Sequence, residues 1–171
     1  VVLTPTALQR AVVYDDLGAV LAVAVTRGGR VDVAELTKAS NAARLNAQLY
    51  RLSIVGPTAS PSLLPTPEDR LAYWYNARTA WALKLALDAS CPARMTADQL
   101  RSRPFPLDGR EMTLDRIDEA LADDGDWRAT VAAPGIVFQR AVIPDRPFTA
   151  QDVRERMARR LNEFLANEEH F

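Results

Sequence analysis

The chain is expected to fold as a mainly α-helical domain around one buried central helix at about residues 67–88, with a small β-hairpin at about 104–112. Two observations predict it. Between Leu71 and Leu87 only Asn76, Arg78, Thr79 and Lys84 are clearly polar, so the apolar groups of a helix there point all round its axis. Phe105 to Met112 alternates around Asp108-Gly109, the dipeptide that suits the left-handed turn of a tight hairpin.

The remaining elements follow from spacing and caps. Leu8, Val12, Leu17, Val20, Leu21 and Val25 recur at helical intervals, which predicts a first helix from Thr6 to about Thr26, ended by Gly28-Gly29. Asp32 with Glu35 has the form of a capping box, and Leu36, Leu45, Leu49 and Leu52 carry a second helix to about Ser53. Prolines 57, 61, 65 and 67 remove amide donors from the next stretch, so residues 56–67 are expected to be an extended link without packing. Thr66-Pro67-Glu68-Asp69 starts the central helix with a hydroxyl cap, a proline at the first helical position and two carboxylates at the positive helix end.

Thr96 with Gln99 caps a short helix, and Thr113 to Ala122 reads as another, with Leu114, Ile117 and Leu121 on one side. Residues 126–147 show no clear pattern. Thr149 with Asp152 opens a last helix, in which Val153, Met157, Leu161, Phe164 and Leu165 form the apolar stripe and the arginines are assigned to the opposite, solvated face. A length of 171 residues, with 48% hydrophobic side chains, suits one soluble domain over 1–171.

Composition narrows the function classes. Lys and Arg total 21 against 22 Asp and Glu, so there is no basic footprint and no nucleic-acid partner is expected. No run approaches the ~18 apolar residues of a membrane span. The chain begins at Val1, which leaves room for a preceding initiator, signal or longer segment. Bacterial extracytoplasmic and cytoplasmic locations both stay open.

The single histidine, His170, stands next to the chain end, a poor place for a catalytic base, and is read as a solvated tail residue. The single cysteine, Cys91, has no obvious charged neighbour to activate it and is read as a packing residue. Without soft or imidazole ligands no structural transition metal is expected, and without a Walker loop or a G-x-G-x-x-G segment no nucleotide cofactor is expected.

What remains is carboxylate, amide and arginine chemistry. Asp115, Asp118 and Glu119 have helical spacing that could bring two carboxylates together for acid–base or Mg²⁺ chemistry, although a solvated face explains them more simply. Asp123-Asp124-Gly125-Asp126 lacks the spacing and closing Glu of a calcium loop and reads as a turn. Arg154, Arg156, Arg159 and Arg160 could form a phosphate strip, but the interleaved Asp152, Glu155 and Glu163 favour a wet helix face. Asn76 and Thr79, one turn apart on a nearly apolar helix, must find hydrogen bonds, either as a tie between helices or as the floor of a pocket.

Gly29-Arg30-Val31-Asp32, Glu68 to Ala77, Leu107 to Asp118 and Pro147-Phe148-Thr149-Ala150 come in the order of the segments of domain-of-unknown-function family 547. They resemble its "G-x-V-D-Y", "E-x-x-A-F-W-I-N-A-Y-N-A" and "G-x-x-L-T-L-D-D-I-E-H" motifs and the approach to its last helix. The family's second Asn is replaced by Thr79 and a His by Glu119. Its "R-x-H-F-A-L" segment keeps only the arginine, as Arg128, and no "S-C-P" cysteine follows. The resemblance implies a divergent, non-catalytic member in which Arg128 is at least partly buried against Asp115, Asp118 or Glu119, or against carbonyl groups near the central helix, with Asn76 close by.

Trp74, Asn76, Arg78, Thr79, Asp115, Asp118, Glu119 and Arg128 are the candidate pocket or polar-core residues. The expected function is a non-catalytic binding or assembly domain with protein partners, of the kind an accessory subunit supplies. The alternatives are a carboxylate-based hydrolase or transferase, in which Asn76, Arg78 and Arg128 orient substrate, and a small-molecule sensor.

Overall fold

The computed structural model describes residues 12–26, 28–88, 96–123, 126–134 and 142–166. Among them the order is α1 (Asp15–Ala24), α2 (Val33–Thr37), α3 (Ala39–Ile54), a 3₁₀ turn (Pro61–Leu63), α4 (Pro67–Asp88), α5 (Ala97–Arg101), β1 (Phe105–Leu107), β2 (Arg110–Met112), α6 (Leu114–Ala122), α7 (Trp127–Val131) and α8 (Val153–Leu165). The protein is mainly α with one two-stranded antiparallel sheet.

Helix α4 is the centre. Every residue from Leu71 to Leu83 is buried. With 3.6 residues per turn, such a run means that neighbours cover the helix in all directions. Those neighbours include α3, α6 and α8. Its start is a reciprocal cap: the Thr66 hydroxyl accepts from the Asp69 amide at 3.1 Å, and the Asp69 carboxylate accepts from the Thr66 amide at 3.1 Å.

Helix α1 buries Leu17, Val20, Leu21 and Ala24, an i, i+3, i+4, i+7 stripe laid mainly against α3. It begins at Asp15 rather than Thr6, with Val12 to Tyr14 outside the helix. Residues 1–11 lie outside the described residues. Its end is set by a bridge between Val25 and Val31, with the Gly28-Gly29 turn between them and Gly29 at φ 70°.

The expected second helix is two helices. Lys38 is extended at ψ 136°, and the Thr37 hydroxyl donates back to the Val33 and Ala34 carbonyls, so the chain breaks and restarts at Ala39. Asn41 donates to the freed Glu35 carbonyl at 2.8 Å. Of the expected capping box one half forms: Asp32 accepts from the Glu35 amide, while the Glu35 carboxylate turns to Lys38 at 2.6 Å and the Asp32 amide donates to the Ala24 carbonyl.

The proline-rich link also departs from expectation, because it packs. Gly56 and Leu64 are buried, and the Thr58 and Ala59 amides donate to the Asp108 carboxylate at 2.8–3.0 Å.

That carboxylate belongs to the hairpin, whose register pairs Phe105 with Met112, Pro106 with Glu111 and Leu107 with Arg110. Phe105, Leu107 and Met112 face the core, and Phe105 stacks on Trp81 at 4.2 Å. Asp108 and Gly109 both have positive φ, 56° and 71°, as a type I′ turn requires. Their amides donate to the Leu52 and Ser53 carbonyls at 3.0 and 2.8 Å, satisfying acceptors that the end of α3 leaves open.

Among the described residues no helix is long and apolar enough to cross a membrane.

Candidate functional site

Asn76, Arg78 and Thr79 of α4 point inward and are engaged in internal hydrogen bonds. Asn76, wholly buried, clamps the backbone of Phe148: its amide nitrogen donates to the Phe148 carbonyl and its amide oxygen accepts from the Phe148 amide, both at 2.8 Å. This is a strand-like pairing made by a side chain. It seats residues 147–149 on the central helix with Phe148 edge-on to Tyr75, 4.9 Å between centroids. Thr79 stays local, its hydroxyl donating to the Tyr75 carbonyl one turn back at 2.8 Å. Trp74 is buried edge-on to Tyr73.

Arg78 forms the second tie. Its guanidinium meets Asp118 of α6 through two bonds, Nε to Oδ1 at 2.7 Å and Nη2 to Oδ2 at 3.2 Å, and Nη1 donates to the Pro134 carbonyl. The Arg78 side chain is 2% exposed and that of Asp118 9%. Arg101 lies 3.8 Å from Asp118 and binds Asp115 at 2.6 Å. The acidic helix face is therefore not simply solvated: Asp118 is in the core, Asp115 is half-buried in an ion pair, and Glu119 alone of the three is fully outside. Tyr75 adds a third tie, donating to the Ala129 carbonyl at 2.7 Å, and burial pushes its phenol pKa up.

Arg128 is a correction. It is not buried against Asp115, Asp118 or Glu119 but half exposed at 54%, forked onto its neighbour Asp126 at 2.7 and 2.8 Å. The Asp126 carboxylate caps α7 by accepting from the Arg128 amide, and the arginine simply folds back onto the cap. Hydrogen bonding from Arg128 holds the Asp126 carboxyl below its usual value. Such a surface pair contributes little to stability.

The arginines of α8 are a second correction. Arg156 and Arg160 are buried, 4% and 6% exposed, whereas Arg159 is exposed. At 100° per residue they fall along the Val153 edge of the stripe made by Val153, Met157 and Leu161, Arg160 about 20° and Arg156 about 60° beyond it. Leu165, placed on that stripe by the sequence, is 49% exposed. The Arg156 guanidinium lies 4.0 Å over the Phe148 ring and donates to the Pro147 and Arg146 carbonyls at 2.5 and 2.9 Å. Cys91 and His170 lie outside the described residues, and the turn at 123–126 is described only at its ends. Among the described residues no group of three or more His, Cys, Asp or Glu could hold a metal.

A cleft of about 630 Å³ opens beside the Asn76–Phe148 clamp, a volume in the range of small-molecule sites. Gly18, Ala72, Leu64, Pro147 and Phe148 give it an apolar wall, and Tyr14 and Asp69 add polar groups. Burial pushes the Tyr14 phenol well above its ordinary pKa; the hydrogen bond with the Asn76 side chain opposes that rise, and the Asp69 charge adds to it.

Sequence reasoning found Asn76 but missed Tyr14, Asp69 and Phe148 as its surroundings. A buried asparagine needs donors and acceptors from elsewhere in the chain, and Phe148 is the apolar residue of the segment that already stood out before the last helix. No protein-family model matches the chain, and no curated protein or solved structure matches it.

Proposed function

We propose that this protein is a non-catalytic binding or assembly domain, divergent within the domain-of-unknown-function family 547 type, and that its ligand seat is the cleft beside Phe148. One observation carries this reading. Asn76, Arg78 and Asp118, the polar residues best placed for chemistry, each hold another segment of the chain in place, while the adjoining cleft has one wall of small and apolar side chains, with Asp15, Asp69, Arg146 and Gln151 also on its lining. A carboxylate-based hydrolase is less well supported, because Asp115 and Asp118 are ion-paired with Arg101 and Arg78.

The test fills the cleft. A Cβ added at Gly18 meets only Pro147, at an ordinary 3.5 Å, so a longer side chain there has room to enter without breaking the helix contact. Saturable binding of a small apolar fluorophore, anilinonaphthalene sulfonate, is expected for the parent and not for Gly18→Leu at an unchanged unfolding midpoint. Equal binding by both proteins would remove the cleft as the seat.

A further inference from the structure

Helix α8 carries three arginines at one corner of the molecule, at spacings that put them on one side of the helix. Arg156, Arg159 and Arg160 line a cleft of about 210 Å³ between α8 and the 142–145 segment. Two of them are more than nine-tenths buried, and both stand by the Phe148 ring, at 4.0 and 5.7 Å. Placing two like charges together out of water is costly unless anions accompany them.

Arg156 has Asp152 at 3.4 Å. Arg160 has no carboxylate in ion-pair range among the described residues: its Nε donates to the Ala132 carbonyl at 3.1 Å and its Nη2 to the Val142 carbonyl. Its Nη1 amino group makes no hydrogen bond among the described residues. The two carbonyls hold the guanidinium plane in place, so an incoming ligand would not have to order it. Desolvation lowers the Arg160 pKa to about 10; Tyr75 and the Glu163 charge oppose the fall and the Arg156 and Arg159 charges add to it, so the cation is only partly compensated.

At the mouth, Arg159 is exposed at 57% and only loosely paired with Glu163 at 3.8 Å. Asp145 and Glu163 also line the cleft, so its three guanidinium groups outnumber its two carboxylates.

We propose that this cleft binds one phosphate-type oxyanion, either inorganic phosphate or a small phosphate monoester. Arg160 and Arg159 are its direct donors, and Arg156 is the buried charge behind them. Guanidinium groups present paired N–H donors that match phosphate oxygens, and each such charge-assisted contact is among the stronger hydrogen bonds. The site is separate from the cleft beside Gly18 and does not depend on the reading given to that cleft.

Titration calorimetry at constant ionic strength, with chloride as the balancing anion, tests it using inorganic phosphate and methyl phosphate in parallel. Arg159 and Glu163 are exposed and outside the internal ties, so their variants leave the fold intact. Saturable binding of at least one ligand is expected, weakened about tenfold by Arg159→Gln and tightened by Glu163→Gln, which removes a repelling charge. A merely structural arginine cluster would give neither response. Binding of phosphate alone identifies the free ion, and binding of methyl phosphate as well or better identifies a phosphorylated small molecule. No saturable heat with either ligand, or parent affinity in both variants, overturns the proposal.

Discussion

Breaking the Arg78–Asp118 pair is the most informative perturbation of this fold. Two hydrogen bonds of 2.7 and 3.2 Å join side chains that are 2% and 9% exposed. At the effective dielectric of about 20 that suits such sites, two unit charges some 4 Å apart attract by about 4 kcal/mol. The desolvation of both ions takes back several kcal/mol, so the intact pair is close to neutral against an apolar replacement. Removing one partner is different, because the other stays buried without its counter-charge at a cost of about 3 to 5 kcal/mol.

The two single changes are not equivalent. Asp118→Leu leaves Arg78 a neutral partner, the Pro134 carbonyl, whereas Arg78→Met leaves Asp118 a cation within reach, Arg101 at 3.8 Å. Asp118→Leu is therefore expected at the upper end of that range and Arg78→Met at the lower. The double variant should recover much of the loss, with a coupling energy above about 1 kcal/mol. Urea unfolding followed by tryptophan fluorescence measures all four corners of the cycle. For a chain of this size the larger single loss corresponds to a fall in the thermal unfolding midpoint of roughly 10 to 20 °C. Single losses under about 1 kcal/mol, or strictly additive ones, would refute the account of a desolvated, mutually compensating pair.

Asn76→Leu should cost roughly 2 to 5 kcal/mol, since it orphans both the amide and the carbonyl of Phe148, while Thr79→Val, which loses only a bond within its own helix, should cost under about 1; similar losses in chemical denaturation would contradict the clamp. Gln48 is wholly buried in α3 with neither end of its amide hydrogen-bonded among the described residues, so Gln48→Met should raise stability by about 1 to 3 kcal/mol, and a lower unfolding midpoint would refute this. For Asp152, burial raises the carboxyl pKa, but hydrogen bonds from Thr149 and the charges of Arg156 and Arg146 outweigh it and hold the value below 3.8. The unfolded chain then binds the extra proton first, so the contribution of Asp152 is complete above about pH 3.8 and is lost as pH falls through the lower folded value. The unfolding midpoint of Asp152→Asn should accordingly fall less steeply with acid than that of the parent, and parallel curves would remove the assignment.

Local chemistry made several elements legible before any tertiary contact was known. The Thr66 and Thr96 caps, the Asp108-Gly109 turn and the all-round apolar run of α4 act through neighbours a few residues away, and each stands where its residues placed it. The break at Lys38 was hidden because no glycine or proline marks it, while the Thr37 hydroxyl and Asn41 amide that stabilise it compete only weakly with the helix. The helix at 127–131 was hidden because five residues are too few to establish a period.

The candidate site was legible only as a demand. An asparagine and an arginine on an apolar helix must find partners, but nothing within the sequence says that Asn76 closes on the backbone of Phe148 or that Arg78 closes on Asp118 rather than on solvent. For Arg128 and Arg156 residue type misled in opposite directions. Whether a guanidinium is buried depends on the carbonyls and rings that distant segments bring to it, and Arg156 meets Pro147, Arg146 and the face of Phe148, whereas Arg128 folds back onto its neighbour Asp126. The sequence by itself determined the elements whose hydrogen bonds close locally. The tertiary structure decided which charges lie inside, because compensating a buried charge takes groups far apart along the chain.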